Sequence, residues 1–543
     1  MNCLENKQMD FKLAGSRPKN LTKDVGLSKW AVLEKYFYAH PDLCFLLLCI
    51  VHLLVWTLVP AIVQTNLHID VVECLAWGKE WQWGYHKHPP LHAWVTEIFF
   101  MPFGKAIWPG FFLSQLCVIL TFICVWRFGK PIIGKTRTIV AIGLLEGIIY
   151  FQYTTPEFNS NVSLLPLWSW AIYSFYLALK RESVWYWLMF GIMMGLSILS
   201  KYASLLLGGV FFTFLVFTQT GRQVWRKPGV YISGAAIVVI LYPHIQWVLA
   251  NEGHTIAYFL ARSQAHSHPW WYRLIFPMNF LLGQIVAVLG MVVAFVIIFR
   301  NQLAKSQLHL KRFFSVSAQE RWEKTFIKFI ALGPLLLVLL VSFILNIRLR
   351  TMWGMPFFTF LPFLLVVDFV PYISSGALKK FFRSVCVLMF LSTLAYAGTY
   401  YLEPYVLHKA KRGHFPGRVM AERITQSWYE YTHLPLQYVM GEIWEAGLVG
   451  FYSADRPSVF INGDYSISSW IKPGQLKEAG GVIVWLIKGD DEDMPATLKQ
   501  RFPAAIIQRP LRLSYHTAAL LEPAKIGWAI LLPKFSGKDY HEI

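Results

Sequence analysis

The sequence predicts an α-helical polytopic membrane protein with a small C-terminal α/β domain. Three observations predict it. Of 543 residues, 55% are hydrophobic and only 15% charged, whereas a soluble chain of this length carries roughly one quarter charged residues. The apolar residues fall in serial runs, many of them reaching the roughly 17–25 residues needed to cross a bilayer. Those runs stop near residue 401, and beyond it short β-type segments alternate with polar, helix-compatible stretches. An aromatic share of 16%, with 23 Trp, fits interfacial belts repeated at many span ends.

Residues 1–43 are polar and mixed in charge up to Pro41, with no apolar core leading to a cleavage site. They read as a cytoplasmic tail. Residues 44–401 form the membrane domain. Spans are expected near 44–63, 110–126, 139–153, 162–179, 185–199, 203–219, 230–249, 275–299, 326–345, 352–370 and 381–401, so about 11–13 transmembrane helices in all. The stretch L-H-A-W-V-T-E-I-F-F-M-P-F (91–103) is short and carries Glu97, which favours an interfacial or re-entrant helix over a span. With that stretch not crossing, the basic loops 127–137, 180–181, 221–227, 300–324 and 379–383 all fall on one side, the cytoplasmic one. The opposite side receives 64–90, 154–161, 200–202, 250–274, 346–351 and an extracytoplasmic domain over 402–543. Strands are expected there at 447–453, 458–462, 481–486 and 528–533. No cysteine follows Cys386, so the C-terminal domain has no disulfide framework or Cys-based zinc site. The formal charge of +19 sits in short clusters between apolar runs, a pattern that orients a membrane protein and excludes a nucleic-acid reader.

The outer segments hold nearly every unusual polar residue. In the first of them Asp70 follows the first span and Glu73 lies three residues on, on the same face if the segment is helical. Charges at a membrane edge are costly unless used or solvated. The run H-K-H-P-P-L then stops the helix and presents His86, Lys87 and His88 beside the acids. Lys201 ends a span, and Arg348 and Arg350 form a basic pair on the side that basic residues normally avoid. Such cations suit either a phosphate or lipid headgroups. His254, Tyr258 and Arg262 recur every four residues and make one polar helical face, with His266 and His268 close behind. That cluster leaves a divalent metal open, but no spacing such as H-E-x-x-H specifies one, and the cofactor stays unknown.

An acid in the first outer loop, a [K/H]-P-P-L turn before an amphipathic helix, and many spans together resemble the GT-C lipid-linked glycosyltransferases. The similarity is to the protein O-mannosyltransferase-like group, which includes bacterial lipid A aminoarabinose and galacturonic acid transferases. E-F-N-S-N-V-S-L-L-P-L-W (157–168), L-S-K-Y-A-S-L-L-L (199–207), Y-P-H-I-Q-W (242–247) and W-G-M-P (353–356) extend it over roughly 60–370. The resemblance implies a GT-C fold in the bacterial inner membrane. It implies Asp70 as the base that deprotonates an acceptor hydroxyl on the periplasmic face. His88 stands where the aminoarabinose transferases usually have Lys, and Asn161 where many members have a second acid. The expected reaction is inverting transfer from a polyprenyl-phosphate-sugar donor to a lipid, glycan or protein acceptor. Lys201, Arg348 and Arg350 would then meet the phosphate, and Glu73, Lys87, His88, Asn161, His254, Tyr258 and Arg262 would shape the site. The rival is a secondary transporter or lipid flippase, which should show inverted repeats and a polar site near mid-bilayer.

Overall fold

A computed structural model describes residues 29–263, 268–306, 318–489, 491–515 and 521–534. Its membrane part begins with the surface helix α1 (Lys29–Ala39) and the long α2 (Pro41–Val63), followed by two short helices, α3 (Ile69–Gly78) and α4 (Leu91–Phe100). Next come α5 (Trp108–Ile133), α6 (Lys135–Leu145), α7 (Ser160–Arg181), α8 (Val184–Ser200), α9 (Ser204–Phe217), the short α10 (Gln219–Val224) and α11 (Pro228–Ala250). The last group is α12 (His254–Ser263), α13 (Tyr272–Ser306), α14 (Ala318–Leu345), α15 (Leu361–Phe369) and α16 (Ser375–Tyr401).

Seven of these helices are long and apolar enough to cross a membrane, or up to eight when the bent pair Thr351–Phe358 plus α15 counts as one span. The helices α8 and α9 are apolar but shorter. Within this multi-pass bundle α7 and α5 are central: 78% and 67% of their apolar windows are buried, against 11% for α11 and 17% for α16. Phe128, Phe175 and Phe326 interlock at the centre, with ring centroids 6.1–6.4 Å apart. In lipid, where tails are as apolar as Leu, such packing contacts hold helices together.

α4 has ten residues and does not span, in line with an interfacial helix at 91–103. The stretch 139–153, read as a full span, is different. α6 has 11 residues, a rise of about 16 Å against a hydrocarbon core of about 30 Å. It stops at Glu146, and irregular chain completes the crossing. Gly147 presses so closely on the Met291 backbone that a Cβ would sit 2.5 Å away. That contact and a buried Glu146 break the helix where hydropathy alone shows a continuous run.

The ends of the bundle separate cleanly. At one end Lys135 pairs with Asp42 at 2.6 Å, Lys180 with Glu323 at 2.8 Å, and Lys227 with Glu182 at 2.7 Å. The other end carries α3, α4, α12 and the C-terminal residues.

After α17 (Glu403–Leu407) and α18 (Gly417–Thr432), the chain forms β1 (Tyr438–Gly441), α19 (Ile443–Tyr452), β2 (Ser458–Ile461), α20 (Pro473–Ala479), β3 (Gly481–Leu486), α21 (Ala496–Arg501), β4 (Ile506–Ile507), β5 (Leu511–Leu513) and β6 (Ala524–Leu531). The sheet order is β2-β1-β3-β6-β4, with β5 also on β6; β1 lies parallel to β2 and β3, and β6 antiparallel to its neighbours. Strands lie at three of the four expected places. The fourth, 447–453, is helix: α19 is buried between the sheet and α3, and a short, wholly apolar run has no periodicity that separates a buried helix from a buried strand.

Candidate active site

α3 starts immediately after the irregular residues 64–68, so the N–H groups of its first turn lack helical partners. The Glu157 carboxylate lies beside one of them, the backbone N–H of Asp70. Glu157 comes from the irregular chain after α6, and Asn159 of the same segment lies beside the Asp70 side chain. Asn159 also caps α7 by accepting from the Asn161 and Val162 N–H groups at 2.9 and 3.3 Å. Two carboxylates thus face the positive end of a helix.

Lys201 closes this group. It follows the last turn of α8, is 8% exposed, and donates to the Asn161 side-chain oxygen. Its ammonium lies within electrostatic reach of Asp70 and 5.9 Å from the centre of the Trp353 ring.

On the other side of Asp70, Glu73 accepts from Lys87 at 2.5 Å. Lys87 is placed by the proline turn: the Tyr85 N–H bonds His88 O at 3.0 Å, the Tyr85 hydroxyl bonds Trp77 O at 2.7 Å, and the two rings stack at 5.1 Å. The loop is then clasped by α11. His244 bridges Trp83 O at 2.6 Å and the Tyr202 hydroxyl at 2.7 Å, while Gly84 lies flat on Trp247 with no room for a Cβ. This clasp accounts for the Y-P-H-I-Q-W sequence.

Tyr258 of α12 approaches Lys87 (6.0 Å), His86 (6.1 Å) and His88 (6.4 Å). Arg262, one turn on, shares the field of Arg350 with Arg348, and the Arg348 N–H bonds Ser263 O at 2.9 Å. The Trp353 N–H bonds Arg350 O at 2.9 Å, which joins this basic group to the Lys201 side.

The electrostatics follow from burial. Asp70 keeps a partly open side, yet desolvation followed by the Glu157 charge holds its carboxyl above the ordinary range, against the pull of Lys87, Lys201 and Asn159. Desolvation lowers Lys201 to about 7, with Asp70 pulling the other way. Burial pushes Glu73 up to about 7, opposed by Lys87. His88 and His92 are held neutral by burial.

The residues singled out from sequence therefore fall into three neighbouring groups: Asp70 with Asn161 and Lys201; Glu73, Lys87, His88 and His254 with Tyr258; and Arg262 with Arg348 and Arg350. His266 lies outside the described residues. Asn161 serves Lys201, and the acid beside Asp70 is Glu157, which sequence reasoning passed over although E-F-N-S-N was in view. Asn159 and Trp353 were missed in the same way. Among the described residues, no three His, Cys, Asp or Glu converge as metal ligands.

The C-terminal domain docks directly on this machinery. α19 packs along α3, with Gly447 against Val72, and the Tyr452 hydroxyl donates to Asn66 at 2.9 Å. Arg456 grips Glu97 of α4 with two bonds of 3.0 and 2.9 Å. Two open hollows of about 300 and 280 Å³ lie on this domain, and neither is lined by Asp70 or Lys201.

Membrane helices that gather acids and cations at one end, capped by an α/β domain, make up a GT-C-type membrane fold, and the comparisons agree. The profile of the family described as dolichyl-phosphate-mannose-protein mannosyltransferase matches residues 87–247. The chain is 22% identical over 483 residues to the lipopolysaccharide core galacturonosyltransferase RgtA of Rhizobium johnstonii, covering 87% of this chain and 90% of that one. It is 25% identical over 203 residues to the lipid A galacturonosyltransferase RgtD of the same organism, 35% of this chain and 40% of that one. The fold matches ArnT from Cupriavidus metallidurans bound to undecaprenyl phosphate, with a TM-score of 0.58, 12% identity, and coverage of 90% of this chain and 97% of that one. The chain is a glycosyltransferase of the GT-C fold.

Proposed function

We propose that the protein moves a sugar, with inversion, from a polyprenyl phosphate to a hydroxyl of a lipid-anchored glycan on the extracytoplasmic face. The observation that carries the reading is the half-buried Asp70 at the start of α3 with the buried Lys201, held on Asn161, within its electrostatic reach. Asp70 takes the acceptor O–H proton while that oxygen attacks the anomeric carbon. The bond from this carbon to the phosphate oxygen breaks, and its electron pair leaves on the polyprenyl phosphate, whose charge grows by one. A fixed cation stabilises that developing charge most where water is excluded, which is the position of Lys201. Arg348 and Arg350, with Arg262, supply a wider basic surface that guides and holds the phosphate.

The lipid donor is supported by the undecaprenyl phosphate in the ArnT structure, and the acceptor class by the lipid A and lipopolysaccharide core named for RgtD and RgtA. The domain division 44–401 and 402–543 assigns chemistry to the first and acceptor placement to the second, because α19 and Arg456 seat that domain on α3 and α4. A transporter fits less well: Asp70 and the cations around it gather at one end of the bundle, and RgtA and RgtD are transferases. The test is transfer by the purified protein from an undecaprenyl-phosphate sugar to a lipid A or core acceptor, read by mass. No product with any such pair, from protein that binds the donor, would sink the proposal.

A further inference from the structure

His52 is the twelfth residue of the 23 in α2, and thus sits near mid-bilayer, some 17 Å from either helix end. Its Nδ1 lies 2.7 Å from Glu146 Oε1 and its Nε2 3.1 Å from Gln115 Oε1, with both side chains of the His–Glu pair fully enclosed. Ionisable groups at that depth are costly and are kept for use. Here the use concerns a broken helix. Glu146 ends α6, and the chain beyond it continues in turns and the short 3-10 stretch Ile149–Phe151 instead of regular α-helix, which lipid tolerates only where protein satisfies the backbone.

Side chains tied to the pair supply part of that satisfaction. Gln152 donates to the Glu146 side chain at 2.9 Å and also to the Glu146 carbonyl. Gln115 donates to Thr155 at 3.2 Å, and Thr155 to Gln152 O at 2.7 Å. Thr155 stands two residues before Glu157 and four before Asn159, the groups that contact Asp70. The same segment is tied sideways, because the Tyr150 hydroxyl bonds Thr351 O at 2.7 Å, where the chain carrying Trp353 begins.

We infer that His52 and Glu146 are positioning residues, a mid-membrane anchor that sets the irregular segment 146–159 so that Glu157 and Asn159 meet Asp70. The inference rests on the proposed role of Asp70. Facing Asp70 are Glu157 and Asn159 from this segment, Lys201 from the end of α8, Lys87 from the proline turn, and Glu73 and Cys74 from α3 itself. Only the first two move if the anchor is lost.

The experiment compares Glu146→Ala, Glu146→Gln, Thr155→Val and Asp70→Asn in steady-state transfer across pH. Glu146→Ala and Thr155→Val are expected to lower kcat at least about tenfold, the scale of a small misplacement of reacting groups, with donor KM unchanged. The acid limb of kcat/KM should shift to lower pH in both, since withdrawal of Glu157 removes a charge that raises the Asp70 pKa. Glu146→Gln keeps an oxygen toward the His52 ring and should recover most of the rate. Lower thermal stability with an unmoved acid limb and wild-type kcat would make the pair a packing feature only. A rise in donor KM alone would place it in donor binding, and also overturns the inference. Should Glu146→Ala fail to fold, Thr155→Val, which leaves the His52–Glu146 pair intact, decides. An active Asp70→Asn would instead discard the catalytic reading itself.

Discussion

Glu157 lies beside the backbone N–H of Asp70 at the N-terminus of α3, so the proposed base has a second acid from a different part of the chain as its neighbour. The two carboxylates have separable roles. In the proposed reaction Asp70, which keeps a partly open side, takes the proton, while the Glu157 charge raises the basicity of its neighbour.

Asp70→Asn keeps the shape and removes the base. Transfer should fall at least about a hundredfold, the usual scale for a lost general base, while donor binding and thermal stability stay near wild type. Glu157→Gln should cost less, since an amide keeps an oxygen beside the helix end, and should move the acid limb to lower pH. Glu73→Gln should act mainly on Lys87. Single-turnover transfer by the three purified variants checks the order, and a dead Glu73→Gln beside an active Asp70→Asn would transfer the role of base to Glu73.

The cations make a graded prediction. Lys201 is buried against Asn161, whereas Arg348 is exposed and Arg350 half-buried. Lys201→Gln should therefore lose most, on the order of 2–4 kcal/mol in the barrier, as for a positioned charge in a water-poor site. Arg348→Ala and Arg350→Ala should act chiefly on donor KM, and less at high salt, where exposed charges are screened. Equal losses in kcat from all three would mean that the phosphate spans the whole basic surface. No loss from any would leave them to lipid headgroups.

The membrane architecture and the placement of Asp70 were legible because hydropathy, basic loops and the proline turn are local signals. Lys201 was legible as a cation at a span end, Tyr258 as part of a polar helical face, and Arg350 as a basic residue on the side that such residues normally avoid. Glu157 was not: one acid in a polar loop has no distinguishing spacing, and only the return of the chain after α6 brings it to α3. The break of α6 was hidden for a related reason. The run after Glu146 stays apolar enough to read as helix, and the partner that stabilises the break, His52, lies 94 residues away. α19 was read as a strand because its apolar residues fill both faces.

Topology offers a test independent of chemistry. The basic ends gather opposite Asp70, so α3, α12 and the C-terminal domain should be extracytoplasmic. Ser469 is exposed on that domain, whereas Ser468 is buried and Ser267 lies outside the described residues. In a chain with its native cysteines replaced, Ser469→Cys should react with an impermeant maleimide in right-side-out vesicles. Labelling only after permeabilisation would invert the orientation and move the site to the cytoplasm.

The pH dependence joins the two central groups. Asp70 must be ionised to accept a proton, and its pKa lies above the ordinary 3.8, so activity should fall as pH drops through that raised value. Lys201 must be protonated to meet the phosphate, and its pKa is lowered to about 7, so activity in the free enzyme should fall as pH rises through about 7. The profile of kcat/KM, which reports the free enzyme, is therefore a narrow bell. A bound phosphate stabilises the ammonium, and the alkaline limb of kcat should stand at higher pH than that of kcat/KM. Lys201→Gln should abolish the alkaline limb and, by removing a charge that holds the Asp70 pKa down, move the acid limb to higher pH. Glu73, itself pushed up to about 7, offers a rival origin for the acid limb; that limb should persist in Glu73→Gln. If the alkaline limb survives in Lys201→Gln, another group carries it, and Lys201 is not the cation that meets the leaving phosphate.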